Sequence, residues 1–379
     1  MPMISLIAPY SLIIFAAGMW FLILSLTNSL YFKKTRKWLM PEKKPKITVM
    51  IPARNEEHRI IPTLEAVLQQ DYPDFEVIVL DDHSTDGTWR ILKSFEEKHS
   101  NLNVMKGREL PPGWKGKTYA MSVMSEKAEG ELLVFIDADM VPEKSFLHWT
   151  AFQIENNNAD FISGYARHSA GSVKEYIFFP LMYLMNMAYL PFWLFSKTKS
   201  VFFSHAIGQL MIFKRGVYKK IGGFAAVKDK IVEDVQMARY IKASGYNHIF
   251  VDAQDVLSGR MYDSWEHTVT GLKRSVYDYF NRSNVLLFFT TAMIFLFLVM
   301  PAVLLPYFIY TGSPYALPVF WGNVGIFFGW MITMYDRGMP WYVPFFYPLQ
   351  FLFVDLIAWK SLADDVSGKG YVWKGRQVR

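Results

Sequence analysis

The sequence predicts a doubly wound α/β domain set between apolar helices that cross a membrane. Three observations carry this prediction. Residues 3–32 are strongly apolar and almost uncharged, enough for the roughly 20 helical residues that span a ~30 Å hydrocarbon core. From Ile47 to about residue 255, short apolar runs alternate with helical periodicity. From Val285 onward, long apolar runs return. The composition fits a chain solvated partly by lipid and partly by water: 52% of residues are hydrophobic and 17% aromatic, yet 20% are charged.

The first apolar run (1–32) is followed by Lys33, Lys34, Arg36, Lys37, Lys43, Lys44 and Lys46. A signal peptide is basic before its apolar run, not after it. The pattern predicts an uncleaved anchor with its C-terminal end in the cytoplasm, then a basic linker (33–45). Ile47–Ile51, Glu76–Leu80 and Leu132–Ile136 read as buried parallel strands. Between the first two, Ile60, Ile61, Leu64, Val67 and Leu68 recur at helical spacing. Residues 46–255 are expected to form one domain, with ligands gathered at the carboxyl ends of its strands.

Tyr176–Phe195 is apolar enough to span but contains Pro180, Asn186 and Pro191. A crossing there would put Asp139 and Asp234 on opposite sides of the membrane. The segment is therefore expected to lie in the interface or line an acceptor groove, with a buried core helix as the alternative. Residues 256–284 read as an interfacial amphipathic region, its basic and aromatic residues in Trp265–Phe280 suiting lipid headgroups. Residues 285–310 and 315–335, joined by Thr311-Gly312-Ser313-Pro314, read as a transmembrane hairpin. Within the same region (285–360), Trp341–Trp359 carries Pro344, Pro348 and Asp355 and is either a crossing or a re-entrant segment. Lys360, Lys369, Lys374, Arg376 and Arg379 place the tail (361–379) in the cytoplasm and favour three crossings in all.

Some functions are excluded or disfavoured. The chain has no cysteine, which rules out disulfides, zinc–thiolate sites and a thiol nucleophile. A net charge of +6 over 379 residues is too small to argue for nucleic acid. The spans carry no paired intramembrane charges of the kind transporters use. Nothing in the sequence sets an oligomeric state.

Four motifs carry chemistry. Ile51-Pro52-Ala53-Arg54-Asn55-Glu56-Glu57 follows the first strand, and Arg54 suits a phosphate or a base. Alternatively, Asn55 is a helix N-cap with acids in the first turn. Next, Asp81-Asp82-His83-Ser84-Thr85-Asp86-Gly87-Thr88 ends the second strand. Its adjacent carboxylates repel and suit a ligand that donates hydrogen bonds, while Ser84, Thr85 and Asp86 can cap a helix. Third, Asp137-Ala138-Asp139 follows an apolar strand; alternation along an extended chain would put both carboxylates on one side, as Mg²⁺ or Mn²⁺ beside a diphosphate requires. Last, Gly222-Gly223-Phe224 marks a turn, and Glu233-Asp234 opens a helix with Val235, Met237, Ala238 and Ile241 on its apolar face. Glu233 is expected to point away from Asp234.

In this order the motifs resemble the family 2 glycosyltransferases. The resemblance implies a GT-A (Rossmann-like) fold, a nucleotide-sugar donor, a divalent metal and inversion at the anomeric carbon. It implies that Pro52, Arg54, Glu56, Asp82, Lys117 and Asp137 line the donor site, Asp82 on the nucleoside. Asp139 would hold the metal, and Asp234, with Glu233 beside it, would supply the general base. His83 stands where the family usually has glycine, and histidine tolerates positive φ better than most residues. Trp114-Lys115-Gly116-Lys117, Gly208-Gln209, Arg260-Met261-Tyr262 and Trp373-Lys374-Gly375-Arg376 are similar to the membrane branch that glycosylates carotenoid acids such as 4,4'-diaponeurosporenoate, and to its hopanoid-associated relatives. That branch implies one sugar, glucose from UDP-glucose, moved to a membrane lipid, with Gly208, Gln209 and Arg260 in the acceptor region. Polyprenyl phosphate, ceramide-like and glyceride acceptors stay open, as does an inactive scaffold that only binds nucleotide sugar. Processive synthases of the family carry Gln-x-x-Arg-Trp, whereas the corresponding stretch here is Gly271-Leu272-Lys273-Arg274.

Overall fold

The structure, a computed structural model, describes the chain apart from residues 1, 179, 181–182, 184–185, 188, 231, 262–263, 280–281, 368–370, 374–375 and 379. Tyr262 and the tail residues Lys369, Lys374, Gly375 and Arg379 therefore lie outside the described residues. The chain forms two compact units: Phe32–Ser169 with Phe192–Met261, and Met1–Tyr31 with Ala170–Pro191 and Tyr262–Arg379.

The first unit is built on a seven-stranded sheet. Its strands are β1 (Ile47–Ala53), β2 (Phe75–Asp81), β3 (Leu102–Lys106), β4 (Leu132–Ile136), β6 (Phe161–Tyr165), β8 (Leu210–Lys214) and β9 (His248–Asp252). A smaller sheet joins β5 (Met140–Pro142), β7 (Arg167–His168) and β10 (Leu257–Gly259). The large sheet runs in the order β3-β2-β1-β4-β8-β6-β9. The pairs β1–β2, β2–β3, β1–β4 and β6–β9 are parallel, whereas β8 is antiparallel to both β4 and β6. The sheet is thus mixed rather than fully parallel.

Alternation along the strands builds a core on each face. Ile47, Val49 and Ile51 of β1 and Leu132, Val134 and Ile136 of β4 join one, with Ile60, Leu64 and Val67 of helix Ile60–Leu68. Met50, Leu133 and Phe135 face the other, with Met121 and Met124 of helix Gly116–Lys127 and Met237 and Ile241 of helix Glu233–Ala243. Pro52 lies in a central strand, where a missing N–H normally breaks the ladder. It is tolerated because pairing of β1 with β4 ends at Met50, and only β2 continues alongside, to Ala53. The last turn of the N-terminal helix Pro2–Arg36 belongs to this unit. Arg36 pairs with buried Asp252 at 2.6 Å, and the Thr35 hydroxyl accepts the Asp252 N–H.

In the second unit and its flanks, three helical stretches are long and apolar enough to cross a membrane among the described residues: Ile7–Arg36, Asn284–Tyr310 and Ala316–Asp336. The second is π-helical over Phe295–Val299, where the Met300 N–H reaches back five residues to the Phe295 carbonyl. The widening comes just before Pro301, which has no N–H to donate. Trp341–Trp359 forms a 3₁₀ turn at Val343–Phe346 and then helix Tyr347–Val366, which carries Asp355. That helix is tied to Ala316–Asp336 by two buried side-chain bonds: Trp330 Nε1 to Gln350 Oε1 and Tyr347 OH to Asn323 Oδ1, both 2.7 Å. Tyr176–Phe195 is no single helix. Helix Val173–Phe178 ends before Pro180, and Phe192–Leu194 is a 3₁₀ turn of the α/β unit.

The N-terminal helix crosses Ala316–Asp336 through glycine. A Cβ on Gly18 would lie 2.1 Å from the Gly322 carbonyl oxygen, and one on Gly325 would lie 2.5 Å from that of Gly18. Only small residues let two backbones approach this closely. Gly322→Val is expected to force the helices apart at a cost of about 1–3 kcal/mol, read as a lower apparent Tm in detergent. A Tm equal to wild type would mean that this crossing does not hold the unit together.

Candidate active site

The loops after β1 and β2 are locked to each other. Asn55 takes a left-handed φ of 51°. Its N–H donates to Ser84 Oγ at 2.9 Å, and its Oδ1 accepts the Thr85 N–H at 2.8 Å. Glu57 donates its N–H to Asp86 Oδ2 and accepts the Gly87 N–H at 2.7 Å. Asn55 is therefore a strap between loops and not the N-cap that was the alternative reading; the helix starts only at Ile60. The N-cap of the next helix is Gly87, and Asp86 just before it accepts from the N–H and hydroxyl of Thr88. These bonds hold its carboxyl below its usual range against the opposing effect of burial. Glu56 is buried: its N–H donates to Thr88 Oγ1 and its carboxylate lies 3.7 Å from Arg59.

Arg54 donates to the Asp82 carbonyl at 2.5 Å and stands 4.0 Å from its carboxylate. His83 takes a φ of 56°, the conformation a glycine would adopt. Gly107 closes the other side: a Cβ there would lie 3.2 Å from Asp82 Cα.

The Asp-x-Asp departs from the expected geometry. β4 ends at Ile136, and Asp137–Met140 is a turn closed by the Met140 N–H on the Asp137 carbonyl at 3.1 Å. Alternation along an extended strand therefore does not orient the pair. Each carboxylate instead faces its own cation: Asp137 meets Lys117 at 2.5 Å, and Asp139 meets Arg59 at 3.4 Å. Two further contacts fix the turn. Thr63 Oγ1 donates to the Ala138 carbonyl at 2.8 Å. Gly259 of β10 leaves no room for a side chain, since a Cβ there would lie 2.7 Å from the Asp139 carbonyl oxygen.

Strand β8, antiparallel to both its neighbours in the large sheet, completes the cluster. Because β8 runs against β4, its first residue, Leu210, pairs with Ile136 at the end of β4. This delivers Gly208 beside Asp137. The Gly208 N–H donates to Asp234 Oδ2 at 2.7 Å, and the Val235 N–H to Asp234 Oδ1 at 2.8 Å. A Cβ on Gly208 would lie 3.0 Å from Lys117 Nζ, 3.5 Å from Asp234 Oδ2 and 3.7 Å from Glu233 Oε1. Glu233 thus faces the same side as Asp234, contrary to expectation, and lies 3.9 Å from Lys117. Burial pushes the Glu233 carboxyl up; Lys117 opposes this and Asp234 adds to it. Burial also raises Asp234, against its two backbone N–H bonds and Lys117. Burial alone would lower Lys117, but Asp137, Glu233 and Asp234 together hold it above the usual lysine range. Gln209 is buried with neither end of its amide bonded to protein. The Arg260 carbonyl accepts from Arg59 at 3.5 Å.

The Gly-Gly-Phe motif is architectural. Gly222 and Gly223 have φ of 77° and 56°, and Phe224 is fully buried against Phe135 of β4 at 5.1 Å. Arg59 and Thr63 escaped the sequence reading. The available signal was a basic residue three places after Glu56 at a helix start.

Among the described residues no three His, Cys, Asp or Glu side chains form a metal-binding group. Asp137 and Asp139 are nevertheless hard oxygen donors, each held now by one cation. They fit a divalent ion whose remaining ligands come from a bound diphosphate.

The glycosyl transferase family 2 model matches residues 48–222. The probable glycosyltransferase YdaM of Bacillus subtilis (strain 168) is 29% identical over 216 residues, which are 55% of this chain and 49% of that protein. The dolichyl N-acetyl-alpha-D-glucosaminyl phosphate 3-beta-D-2,3-diacetamido-2,3-dideoxy-beta-D-glucuronosyltransferase of Methanococcus voltae is 30% identical over 105 residues, 27% of this chain and 31% of that protein. The matches span half or less of these curated relatives. The solved mannosyltransferase PcManGT from Pyrobaculum calidifontis, in complex with GDP-Man and Mn2+, is 20% identical with a TM-score of 0.56, covering 94% of this chain and 99% of that one. At that identity it shows the shared fold, a mixed GT-A sheet.

The interloop strap makes a stability prediction. Asn55→Ala loses the bond to Thr85 and puts a Cβ residue without that compensation at positive φ, costing about 1–3 kcal/mol. Asn55→Gly loses the same bond but relieves the φ, so its apparent Tm is expected to fall less. Equal losses for the two variants would show that backbone conformation plays no part.

Proposed function

We propose that this chain is an inverting glycosyltransferase that moves one sugar from a nucleotide diphosphate onto a membrane lipid at the cytoplasmic face. The observation that carries the reading is the convergence of Lys117, Asp137, Glu233 and Asp234 around Gly208, beside the Asp139 turn. The family 2 domain and the GT-A neighbour, solved with GDP-Man and Mn2+, support a nucleotide-sugar donor. Three helical stretches of spanning length and a relative named for a dolichyl phosphate substrate support a lipid acceptor. The basic run Lys33–Lys46 supports a cytoplasmic catalytic unit. Glucose from UDP-glucose as donor, and a carotenoid acid as acceptor, follow from the motif resemblance.

In this reading Asp82 accepts hydrogen bonds from the nucleoside, and Arg54 holds the Asp82 loop in place. Lys117 and Arg59 are the cations within reach of a diphosphate, and each would exchange a carboxylate for phosphate oxygen. A divalent ion held by Asp139 and Asp137 would neutralise charge on the departing diphosphate. Gly208, lacking a side chain, leaves room for the sugar beside Lys117. Asp234, oriented by two backbone N–H groups, takes the proton of an acceptor hydroxyl as it attacks the anomeric carbon from behind. The proton ends on the Asp234 carboxylate while the C–O bond to the diphosphate breaks.

Asp234→Asn is the direct test. With a hydroxyl acceptor, turnover is expected to fall by roughly 10²–10⁴-fold, with little change in nucleotide affinity. A carboxylic acid acceptor is already ionised near neutral pH, so the loss there should be small. Undiminished turnover with a hydroxyl acceptor would remove Asp234 from the base role.

A pH profile tests the charge cluster separately. A carboxylate base works only when ionised, and Lys117 holds both Glu233 and Asp234 down against burial. Lys117→Met lets both rise further, so the acid limb of kcat/KM against pH is expected to move to higher pH. An acid limb that stays in place would show that Lys117 does not set the charge of the base.

A further inference from the structure

In the α/β unit, the segment Ser196–Phe203 is a loop pinned at both ends by one buried side chain. Lys242, 5% exposed, donates its ammonium to the carbonyls of Phe195 and Phe203. The loop is braced within: Lys197 and Thr198 N–H groups return to the Leu194 carbonyl, the Phe203 N–H to Ser200, and the Ser204 hydroxyl to the Val201 carbonyl at 2.5 Å. A loop this well held could turn its apolar residues inward, yet it does the opposite. Phe202 is 62% exposed and Val201 44%. Lys197 and Lys199 are exposed beside them.

The loop's position in the unit bears on what meets it. Phe195 and Phe192 pack against each other at 5.1 Å, and Phe192 packs on Phe250 and on Phe32 at 4.8 and 5.1 Å. Phe32 is the last apolar residue of a helical stretch long and apolar enough to cross a membrane. Exposed Lys33, Lys34 and Lys37 follow it. The loop therefore stands where an apolar run enters this unit, and it carries the same mixture of apolar and basic residues. Isolated exposed apolar residues need no explanation. An adjacent Val-Phe tip preceded by two lysines, on a braced base near Phe32, suits the headgroup region of an anionic bilayer, where apolar side chains insert and lysines meet phosphate.

We propose that Ser196–Phe203 is a membrane-docking loop, which inserts Val201 and Phe202 among anionic lipid headgroups and so fixes the α/β unit against the bilayer independently of the spans. The chain has no native cysteine, so Phe202→Cys in the full-length protein accepts a single environment-sensitive fluorophore. The labelled protein is placed in nanodiscs of phosphatidylcholine mixed with phosphatidylglycerol, with a lipid spin-labelled near its headgroup as quencher. Emission is expected to shift to the blue and lose most of its intensity to the quencher. Lys98→Cys, exposed near β3 at the opposite edge of the sheet, should stay water-like and unquenched. In phosphatidylcholine alone the quenching should weaken, because Lys197 and Lys199 lose their anionic partners. Ser200→Cys, on the same loop, gives the same reading if Phe202→Cys does not fold. Water-like, unquenched emission from the loop would overturn the proposal. So would a blue shift that the lipid quencher leaves untouched, which would mean that a protein surface covers the loop. Quenching indifferent to phosphatidylglycerol would overturn its anionic part. None of these readings depends on sugar transfer.

Discussion

The site depends on holding like charges together. Asp82, Asp137, Asp139, Glu233 and Asp234 all lie at strand ends or at a helix start, and three basic side chains meet them. Arg54 serves Asp82, Arg59 serves Asp139, and Lys117 faces Asp137 and Glu233. Two of the three come from the segment after β1, which is why the interloop strap at Asn55 matters. If that loop moves, both arginines move with it. The carboxylates still outnumber the cations. Helix geometry covers part of the difference, because Glu233 and Asp234 occupy the first turn of their helix, where the dipole favours negative charge. In the proposed function, the remainder would be met by a ligand that brings phosphate to the cations and a cation to the carboxylates.

The topology explains why these groups meet. In an all-parallel sheet, the segment leading into β8 would lie at the opposite end of the strands from Asp137. Reversing β8 puts its beginning against the end of β4, and Gly208 reaches the cluster for that reason alone. The small sheet contributes in the same way. β10 pairs antiparallel with β5 and presses Gly259 onto the Asp139 turn. Both glycines are needed for what they lack. A side chain at Gly259 would displace backbone, and one at Gly208 would crowd the only lysine in the cluster.

Much of this was legible in the sequence, and the remainder follows a physical rule. Strand β4 and helix Glu233–Ala243 were readable because a short apolar run and a 3.6-residue period report burial directly. The positive φ at His83 was readable because the residue types that tolerate it are few. The direction of β8 was not, since a buried strand has the same composition either way. The role of Asn55 was not legible for a related reason. Its side chain bonds as readily across a gap as to its own helix, and the partner, Thr85, is 30 residues away. Arg59 and Thr63 were invisible because their partners, Asp139 and Ala138, lie 80 and 75 residues on. Local pattern reports which face of an element is buried, but long-range polar pairing only appears once the chain has folded.

Two lysines show how far residue type falls short of role. Lys117 and Lys242 both sit on helices of the α/β unit. Lys242 meets the carbonyls of Phe195 and Phe203 and the Phe195 ring, so burial dominates and lowers it to about 8. Lys117 meets three carboxylates, which overcome the effect of burial and raise it. Desolvation disfavours any buried ammonium, and only a full opposite charge reverses that balance. The difference fits the two tasks. A lysine that closes a loop needs partners it never exchanges, and carbonyl oxygens are fixed in the backbone. In the proposed function Lys117 meets a diphosphate and must keep its charge when empty, and the carboxylates preserve it. Those carboxylates can then turn to a metal or a proton once phosphate takes their place. The cluster around Gly208 is thus arranged for exchange, and the clamp on Ser196–Phe203 for permanence.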